Sequence, residues 1–202
     1  MLDTVNHTVE KIDPRVKRTR KLILDAFLSL QAEKGFDDIT IQDITTRATV
    51  NRATFYAHFA DKYALLDEQI RAGFAQILQQ RLSPRTTSVQ EHLRQLLLAV
   101  TDHWTAVNKQ CQHTYRLFES LVEAQVKVQV RDSLRGWLSE HHHAQASHPE
   151  RLELAATIVS WAIYGAAMEW SKHVSIQAAE TFADEALPLI AASITALNRS
   201  LR

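Results

Sequence analysis

The sequence predicts an all-α protein of two domains. Apolar residues recur at three- and four-residue spacing through nearly all of its 202 residues, and only four glycines and four prolines interrupt them. No segment alternates like a β-strand. A turn-forming stretch at residues 83–88, which contains Pro84, separates a smaller N-terminal part from a larger C-terminal part. We expect a tail at residues 1–14, a first domain at 15–60, a connecting helix at 61–82 and a second domain at 83–202.

The charge of the chain is balanced overall but uneven along its length. Lysine and arginine total 23, as do aspartate and glutamate, so net charge excludes no class of partner. One basic cluster stands out near the N-terminus, and its members are Arg15, Lys17, Arg18, Arg20 and Lys21. It is either an anion-binding surface or an ordinary solvated helix start.

Cellular location is indicated only indirectly. A single cysteine, Cys111, excludes an internal disulfide and favours a reducing compartment such as the cytoplasm. The longest uncharged stretch, residues 154–168, is shorter than the roughly 20 apolar residues of a membrane helix. We expect no membrane span and no secretory signal.

The first domain begins with one long helix and continues with three marked helix starts. The first helix is predicted at residues 16–34, with Gly35 as its C-cap. Thr40 and Asp43 have the spacing of a capping box, and Asn51 and Asp61 can each cap a further helix. The second helix must then stop after about two turns and a tight turn near residues 48–50.

Two short helices joined by a tight turn form a helix-turn-helix, whose second helix enters the major groove of DNA. On the helix after Asn51, Val50, Phe55 and Phe59 face inward, which leaves Arg52 as the long cation that can read guanine or bind a phosphate. Thr54, Tyr56 and His58 suit phosphate oxygens. The alternative is a helical subdomain whose caps serve folding only.

Residues 18–66 closely resemble the N-terminal signature of the tetracycline-repressor (TetR) family. The matching positions are Gly35-Phe36, Thr40-Ile41, Ile44, Ala48, Val50-Asn51, Ala53-Thr54-Phe55-Tyr56, His58-Phe59, Asp61-Lys62 and Leu65. The resemblance implies a homodimer that binds operator DNA and responds to a small-molecule effector. It also implies DNA-contacting positions at Thr40, Gln42, Arg52, Ala53, Thr54, Tyr56, His58 and Lys62, flanked by the basic residues Arg15, Lys17 and Arg18.

Two positions in the turn depart from the family's usual pattern. Thr45 stands where alanine is usual, and Thr49 where glycine is usual. Because a β-branched residue is costly at positive φ, Thr49 implies either a reshaped turn or about 1 kcal/mol or more of local strain.

The second domain matches no motif, so its prediction comes from helical periodicity. Ser88 and Glu91 start a helix whose apolar stripe continues to Trp104. Further helices are predicted at residues 114–128, 132–140, 150–172 and 178–198, with Pro188 kinking the last.

The helix at 150–172 is apolar on two faces, and one domain core can bury only one of them. Leu154, Ile158, Trp161, Gly165 and Met168 lie on one face. We assign the other face, with the last helix, to a four-helix dimer interface, as the resemblance also implies. The interface residues are Ala155, Val159, Ala162, Ala166, Trp170, Leu187, Ile190, Ile194 and Leu197. The alternative is a central core helix of a monomer.

Aromatic residues with polar tips are concentrated in the second domain and suit a ligand cavity between helices. The candidate effector-binding residues are Trp104, Tyr115, Phe118, Trp137, Trp161, Tyr164 and Met168. The alternative for each is a plain core position.

Other chemistries have weaker support. Cys111 near Lys109 and His113 can be a redox-sensitive thiol, and the run His141, His142, His143 with His148 can recruit a metal, but consecutive residues on a helix point in different directions. We therefore expect no metal site and no cofactor. No nucleophile elbow or glycine-rich phosphate loop points to an enzyme. An activator, or a regulator controlled by a protein partner, stays open as the alternative to a repressor.

Overall fold

The computed structural model describes residues 13–110, 118–141, 149–172 and 177–199. These residues form α-helices and one short 3-10 helix, without a β-strand, so the predicted all-helical fold class is confirmed for them. The helices are α1 (Pro14–Gln31), the 3-10 helix (Phe36–Asp38), α2 (Ile41–Ala48), α3 (Arg52–His58), α4 (Lys62–Arg81), α5 (Val89–Gln110), α6 (Glu119–His141), α7 (Pro149–Ser171) and α8 (Ala179–Arg199).

The chain divides into two compact units. The first comprises Met1–Leu66 and the second Asp67–Arg202, so the division falls within α4. In the first unit, α1 packs against α2, and α2 against α3. Within the described ranges, no helix combines the length and apolarity needed to cross a membrane.

Helix α1 ends earlier than predicted. Its last residue is Gln31 and its C-cap is Ala32, whereas Gly35 is the N-cap of the 3-10 helix, so the prediction of Gly35 as the C-cap is wrong. Phe36 is buried and meets Phe27 edge to face at 6.1 Å between ring centroids. Phe36 therefore folds back onto α1 after the helix has ended.

The core of the second unit forms around α7, which packs against α5, α6 and α8. The predicted stripe of α5 is confirmed, because Leu93, Leu96, Leu97 and Val100 are all completely buried. Helix α6 is a single continuous helix, whereas the sequence predicted two helices with a break near residue 130. Val130 is fully buried on the same face as the other core residues of α6, so the apolar face continues through the predicted break.

The two faces of α7 are placed opposite to the prediction. Ala155, Val159 and Trp170 are buried within the chain itself, whereas Leu154, Ile158 and Trp161 are 60%, 49% and 62% exposed. The assignment of Ala155, Val159 and Trp170 to a dimer interface must be corrected, because these side chains are already buried where α7 packs against α5, α6 and α8.

The other described residues that were predicted to form the interface are also partly or fully buried within the chain. Ala162, Ala166 and Leu187 are half-buried, and Ile190 is buried. On α8, Leu189 is 77% exposed. The preceding residue, Pro188, lies inside this helix. The side chains of Ile194 and Leu197 lie outside the described part of the structure.

Candidate nucleic-acid interface

Helix α2 begins with the capping box that the sequence predicted. The Thr40 hydroxyl accepts a hydrogen bond from the Asp43 backbone N–H at 3.1 Å, and the Asp43 carboxylate accepts from the Thr40 N–H at 2.9 Å. Lys34 binds the same carboxylate oxygen at 2.7 Å. The Lys34 hydrogen bond, followed by those from Thr40, holds the pKa of Asp43 well below its usual value of 3.8. The start of α2 is therefore fixed by interactions within ten residues of sequence.

The turn between α2 and α3 contains a strained residue. Thr49 has φ 56° and ψ 45°, the left-handed region, and is the one positive-φ residue among those described. The N–H of Val50 then donates to the Thr45 carbonyl at 3.0 Å and closes the turn. Of the two possibilities left by the sequence, the structure has the ordinary turn with strain at Thr49.

Helix α3 presents one face to solvent and packs the other. Asn51 caps it as predicted, accepting from the Thr54 N–H at 2.7 Å. Phe55 and Phe59 are buried, which confirms the predicted inward face, and Val50 is half-buried. The outward face carries the exposed residues Arg52, Ala53, Tyr56 and Ala57, with Thr54 and His58 half-buried beside them.

The C-terminal end of α3 is held by a residue that the sequence placed only in the basic cluster. The guanidinium of Arg20 donates to the His58 carbonyl at 2.8 Å and lies over the Phe59 ring at 4.3 Å. A cation at a helix C-terminus is favoured by the helix dipole, and the ring contact adds a cation–π attraction. The missed signal was an arginine on the inward side of an otherwise exposed cluster.

Lys62 has a different environment from the one expected of a DNA contact. Its ammonium donates to the carbonyls of Phe36, Asp37 and Ile39 at 3.0, 3.1 and 3.1 Å, and it lies 4.6 Å from the centroid of the Phe36 ring. An ammonium has three protons, and three carbonyls take all of them. The expected DNA contact at Lys62 is therefore replaced in this structure by a link between the start of α4 and the segment before α2.

The remaining candidate contacts are mostly exposed. Arg15, Lys17 and Arg18 are exposed in the first turns of α1, whose N-terminus is capped by Asp13 at 2.8 Å from the Arg15 N–H. Gln42 is exposed and donates to the Thr46 hydroxyl at 3.1 Å, and the Thr40 hydroxyl is engaged in the capping box. Arg52 makes no hydrogen bond or ion pair that the described residues show. The arrangement offers a long free cation at the start of α3 and further cations on α1.

The candidate effector residues of the second unit fall into different environments. Trp104 is half-buried and its ring centroid lies 6.0 Å from that of the buried Tyr164. Trp137 is buried and donates to the Thr86 carbonyl at 2.9 Å, a structural role. Trp161 is exposed, with the Lys127 ammonium 3.6 Å from its ring centroid. Phe118 and Met168 are half-buried.

Several positions that the sequence analysis singled out lie outside the described residues: Tyr115, Cys111, His113, His142, His143 and His148. His141 is described, and its ring stacks on Trp137 at 4.6 Å between centroids. Among the described residues, no group of three or more potential metal ligands comes together.

Comparison with known proteins gives a consistent picture for the N-terminal part. Residues 23–68 match the family model described as bacterial regulatory proteins, tetR family. The chain is similar to the HTH-type transcriptional regulator YxbF of Bacillus subtilis, 46% identical over 70 residues. It is also similar to IcaR of Staphylococcus aureus, a negative transcriptional regulator of the biofilm operon icaADBC, 31% identical over 52 residues.

These matches cover only part of each protein. The YxbF match spans 34% of this chain and 18% of that relative, and the IcaR match spans 26% and 28%. The fold as a whole resembles the crystal structure of RolR in complex with resorcinol, with a TM-score of 0.57 and 19% identity over 89% of this chain and 92% of that one.

Proposed function

We propose that this chain, whose residues 23–68 match the family model of tetR-type bacterial regulatory proteins, regulates transcription by binding operator DNA as a homodimer. A regulatory rather than an enzymatic role follows from the family. The observation that carries the proposal is the outward face of α3, which is capped by Asn51, held at its other end by Arg20, and begins with the exposed Arg52. The proposed site of action is the cytoplasm, where the chromosome lies.

In the proposed complex, α3 enters the major groove and Arg52 reads a base edge. An arginine in the first turn of a recognition helix can bind the O6 and N7 of guanine with two hydrogen bonds. Arg15, Lys17, Arg18 and Tyr56 are proposed to bind phosphates and to set the register of the helix on the duplex. Lys62 is left out of this set, because three backbone carbonyls occupy its ammonium.

The experiment is selection of bound duplexes from a random DNA pool, followed by fluorescence-anisotropy titrations with the selected site. The wild-type chain should select a near-palindrome, and its affinity should fall steeply as salt rises. Arg52→Ala should lose about 10- to 100-fold in affinity for the selected site and lose preference at one position of each half-site. Arg85→Ala, which removes an exposed arginine of the second unit, is the matched control and should bind as wild type does.

Selection of no sequence, or equal losses for Arg52→Ala on selected and random duplexes, would refute base reading by this residue. The second result would instead make Arg52 a phosphate contact. Affinity that does not change with salt would contradict the whole proposal.

The proposed dimer forms through the exposed face of α7, defined by Leu154, Ile158 and Trp161, together with α8. A soluble monomer rarely leaves several large apolar side chains exposed along one helix face. Gly165, which lies on the same face and has no side chain, allows a second copy of the helix to approach closely. A two-fold axis through this face would give the isologous contact expected of a homodimer.

Sedimentation velocity tests this interface. The wild-type chain should sediment as a dimer, and Ile158→Asp should sediment as a monomer, because a carboxylate would be buried without a partner. Leu22→Asp, which changes an exposed leucine of α1 in the same way, should remain dimeric. A monomeric wild type, or a dimeric Ile158→Asp variant, would contradict this choice of face.

The proposed regulator is a repressor that a small molecule releases from DNA. Two similarities support this form of the proposal: IcaR is a negative regulator, and RolR, which shares the fold, was crystallised with resorcinol. A reporter gene downstream of the selected site should be expressed less when the protein is present. Higher expression would instead support an activator, the second candidate.

A further inference from the structure

A row of four aromatic rings crosses the second unit from α4 through α5 to α7. The ring centroids of Phe74 and His103 lie 5.5 Å apart, those of His103 and Trp104 6.1 Å, and those of Trp104 and Tyr164 6.0 Å. Phe74, His103 and Tyr164 are at most 4% exposed, and Trp104 is half-buried. These contacts connect three helices through the interior of one unit.

Two hydrogen-bond donors in this row have no partner among the described residues. They are the indole N–H of Trp104 and the hydroxyl of Tyr164, and both atoms are inaccessible to solvent. The chain satisfies its other buried indoles: Trp137 donates to the Thr86 carbonyl at 2.9 Å and Trp170 to the Gln177 carbonyl at 3.0 Å. Because buried donors are nearly always hydrogen-bonded, the Trp104 and Tyr164 donors are two polar groups that an acceptor on a bound molecule would satisfy.

The surrounding groups select against charge on that molecule. Burial lowers the pKa of His103 to about 4, so this ring is neutral at pH 7. Burial, and then the charges of Glu123 and Glu119, raise the pKa of the Tyr164 hydroxyl, which therefore stays protonated. The two glutamates disfavour an anion beside Tyr164. The Lys127 ammonium, 5.9 Å from the centroid of the Tyr164 ring and 2.6 Å from the Glu123 carboxylate, disfavours a cation.

We propose that the second unit binds an uncharged, planar aromatic compound whose carbonyl oxygen accepts hydrogen bonds from Trp104 and Tyr164. The half-buried ring of Trp104 supplies a stacking surface, and the two donors supply the specificity for an acceptor. Aromatic ketones and quinones have this chemistry. The inference rests on the proposed function only in identifying this molecule with the effector.

Four naphthalene probes of similar size test the ligand class by calorimetric titration of the full chain. They are 2-acetylnaphthalene, a neutral ketone; 2-ethylnaphthalene, which lacks the acceptor; 2-naphthoate, an anion; and trimethyl(2-naphthylmethyl)ammonium, a cation. The ketone should bind about tenfold more tightly than each of the others, as expected for one or two added hydrogen bonds.

The variants Tyr164→Phe and Trp104→Phe each remove one donor and retain an aromatic ring. Each should reduce the preference for the ketone over the ethyl compound, whereas Tyr63→Phe, which removes the hydroxyl of an exposed tyrosine, should retain it. The proposal is overturned by equal affinity for ketone and ethyl compound in the wild type, by a preference for either ion, by a preference that survives in both variants, or by no binding of any probe. The wild-type comparisons decide the matter even if a variant fails to fold.

DNA binding is measured separately, by anisotropy with each probe present. Release of DNA by the ketone alone would support both this inference and the effector role in the proposed function. Binding of the ketone without release of DNA would refute the effector role for this compound and leave the ligand class standing.

Discussion

The left-handed backbone at Thr49 leads to a quantitative prediction for Thr49→Gly. A non-glycine residue in this region costs about 1–2 kcal/mol, and β-branching places Thr49 toward the upper end. Glycine removes this strain but gives the unfolded chain more freedom, which costs about 0.5–1 kcal/mol. Thr49 is exposed, so its side chain contributes no core packing. The net result should be a gain of about 1–1.5 kcal/mol in the free energy of unfolding.

The assay is thermal and urea unfolding followed by circular dichroism. For a chain of this size, a gain of 1 kcal/mol raises the melting temperature by roughly 2–4 °C. Thr46→Gly is the matched control: Thr46 is also exposed but lies inside α2 with ordinary helical backbone, so glycine should destabilise it. The reasoning from backbone strain is refuted if the Thr49→Gly variant is no more stable than wild type, or if its free energy of unfolding decreases as much as that of the Thr46→Gly variant.

Three further predictions concern buried and paired groups. Lys62→Met keeps the aliphatic stem but removes three hydrogen bonds, so the free energy of unfolding should fall by about 1–3 kcal/mol in urea titrations; no loss would contradict the linking role. Tyr164→Phe removes a hydroxyl that has no hydrogen-bond partner among the described residues, so this variant should unfold at the same temperature as wild type or a higher one. Trp137→Phe removes the indole hydrogen bond to Thr86, so it should unfold at a lower temperature. The reverse order of melting temperatures would contradict the absence of a partner for the Tyr164 hydroxyl. His92 and His103 have native pKa values of about 4 because of burial, below the ordinary 6.5, so the unfolded chain binds more protons between these values. The free energy of unfolding should therefore fall as the pH is lowered from 6.5 to 4, and it should fall by less in the His103→Leu variant.

Local signals allowed much of the first unit to be predicted. The Thr40–Asp43 box and the Asn51 cap each depend on residues three apart, so sequence spacing is enough to reveal them, whereas the strain at Thr49 was indicated only by the resemblance to a family that usually has glycine there. Side chains that reach across the fold gave no such signal. Helical spacing places Arg20 on the same side of α1 as Ile23 and Phe27, but it does not identify the His58 carbonyl, 38 residues away, as its partner.

The faces of α7 show a second limit of sequence reasoning. Both faces of this helix are apolar, so periodicity predicts that one is buried and does not say which. The choice depends on how α5, α6 and α8 surround the helix, and Val159 rather than Ile158 fits into that space. Helix α6 illustrates the same point, because its predicted break disappears once Val130 is seen to continue the core face.

The most direct test of the account is the effect of half-site spacing on binding. In the proposed homodimer, two copies of α3 should require two half-sites at a fixed separation, because successive major grooves on one side of the duplex recur every 10 to 10.5 base pairs, about one helical turn. Inserting about half a turn, roughly five base pairs, between the selected half-sites should abolish specific binding, and a full-turn insertion should weaken it less. Unchanged affinity for the half-turn duplex, or full affinity for a single half-site, would contradict paired insertion of α3.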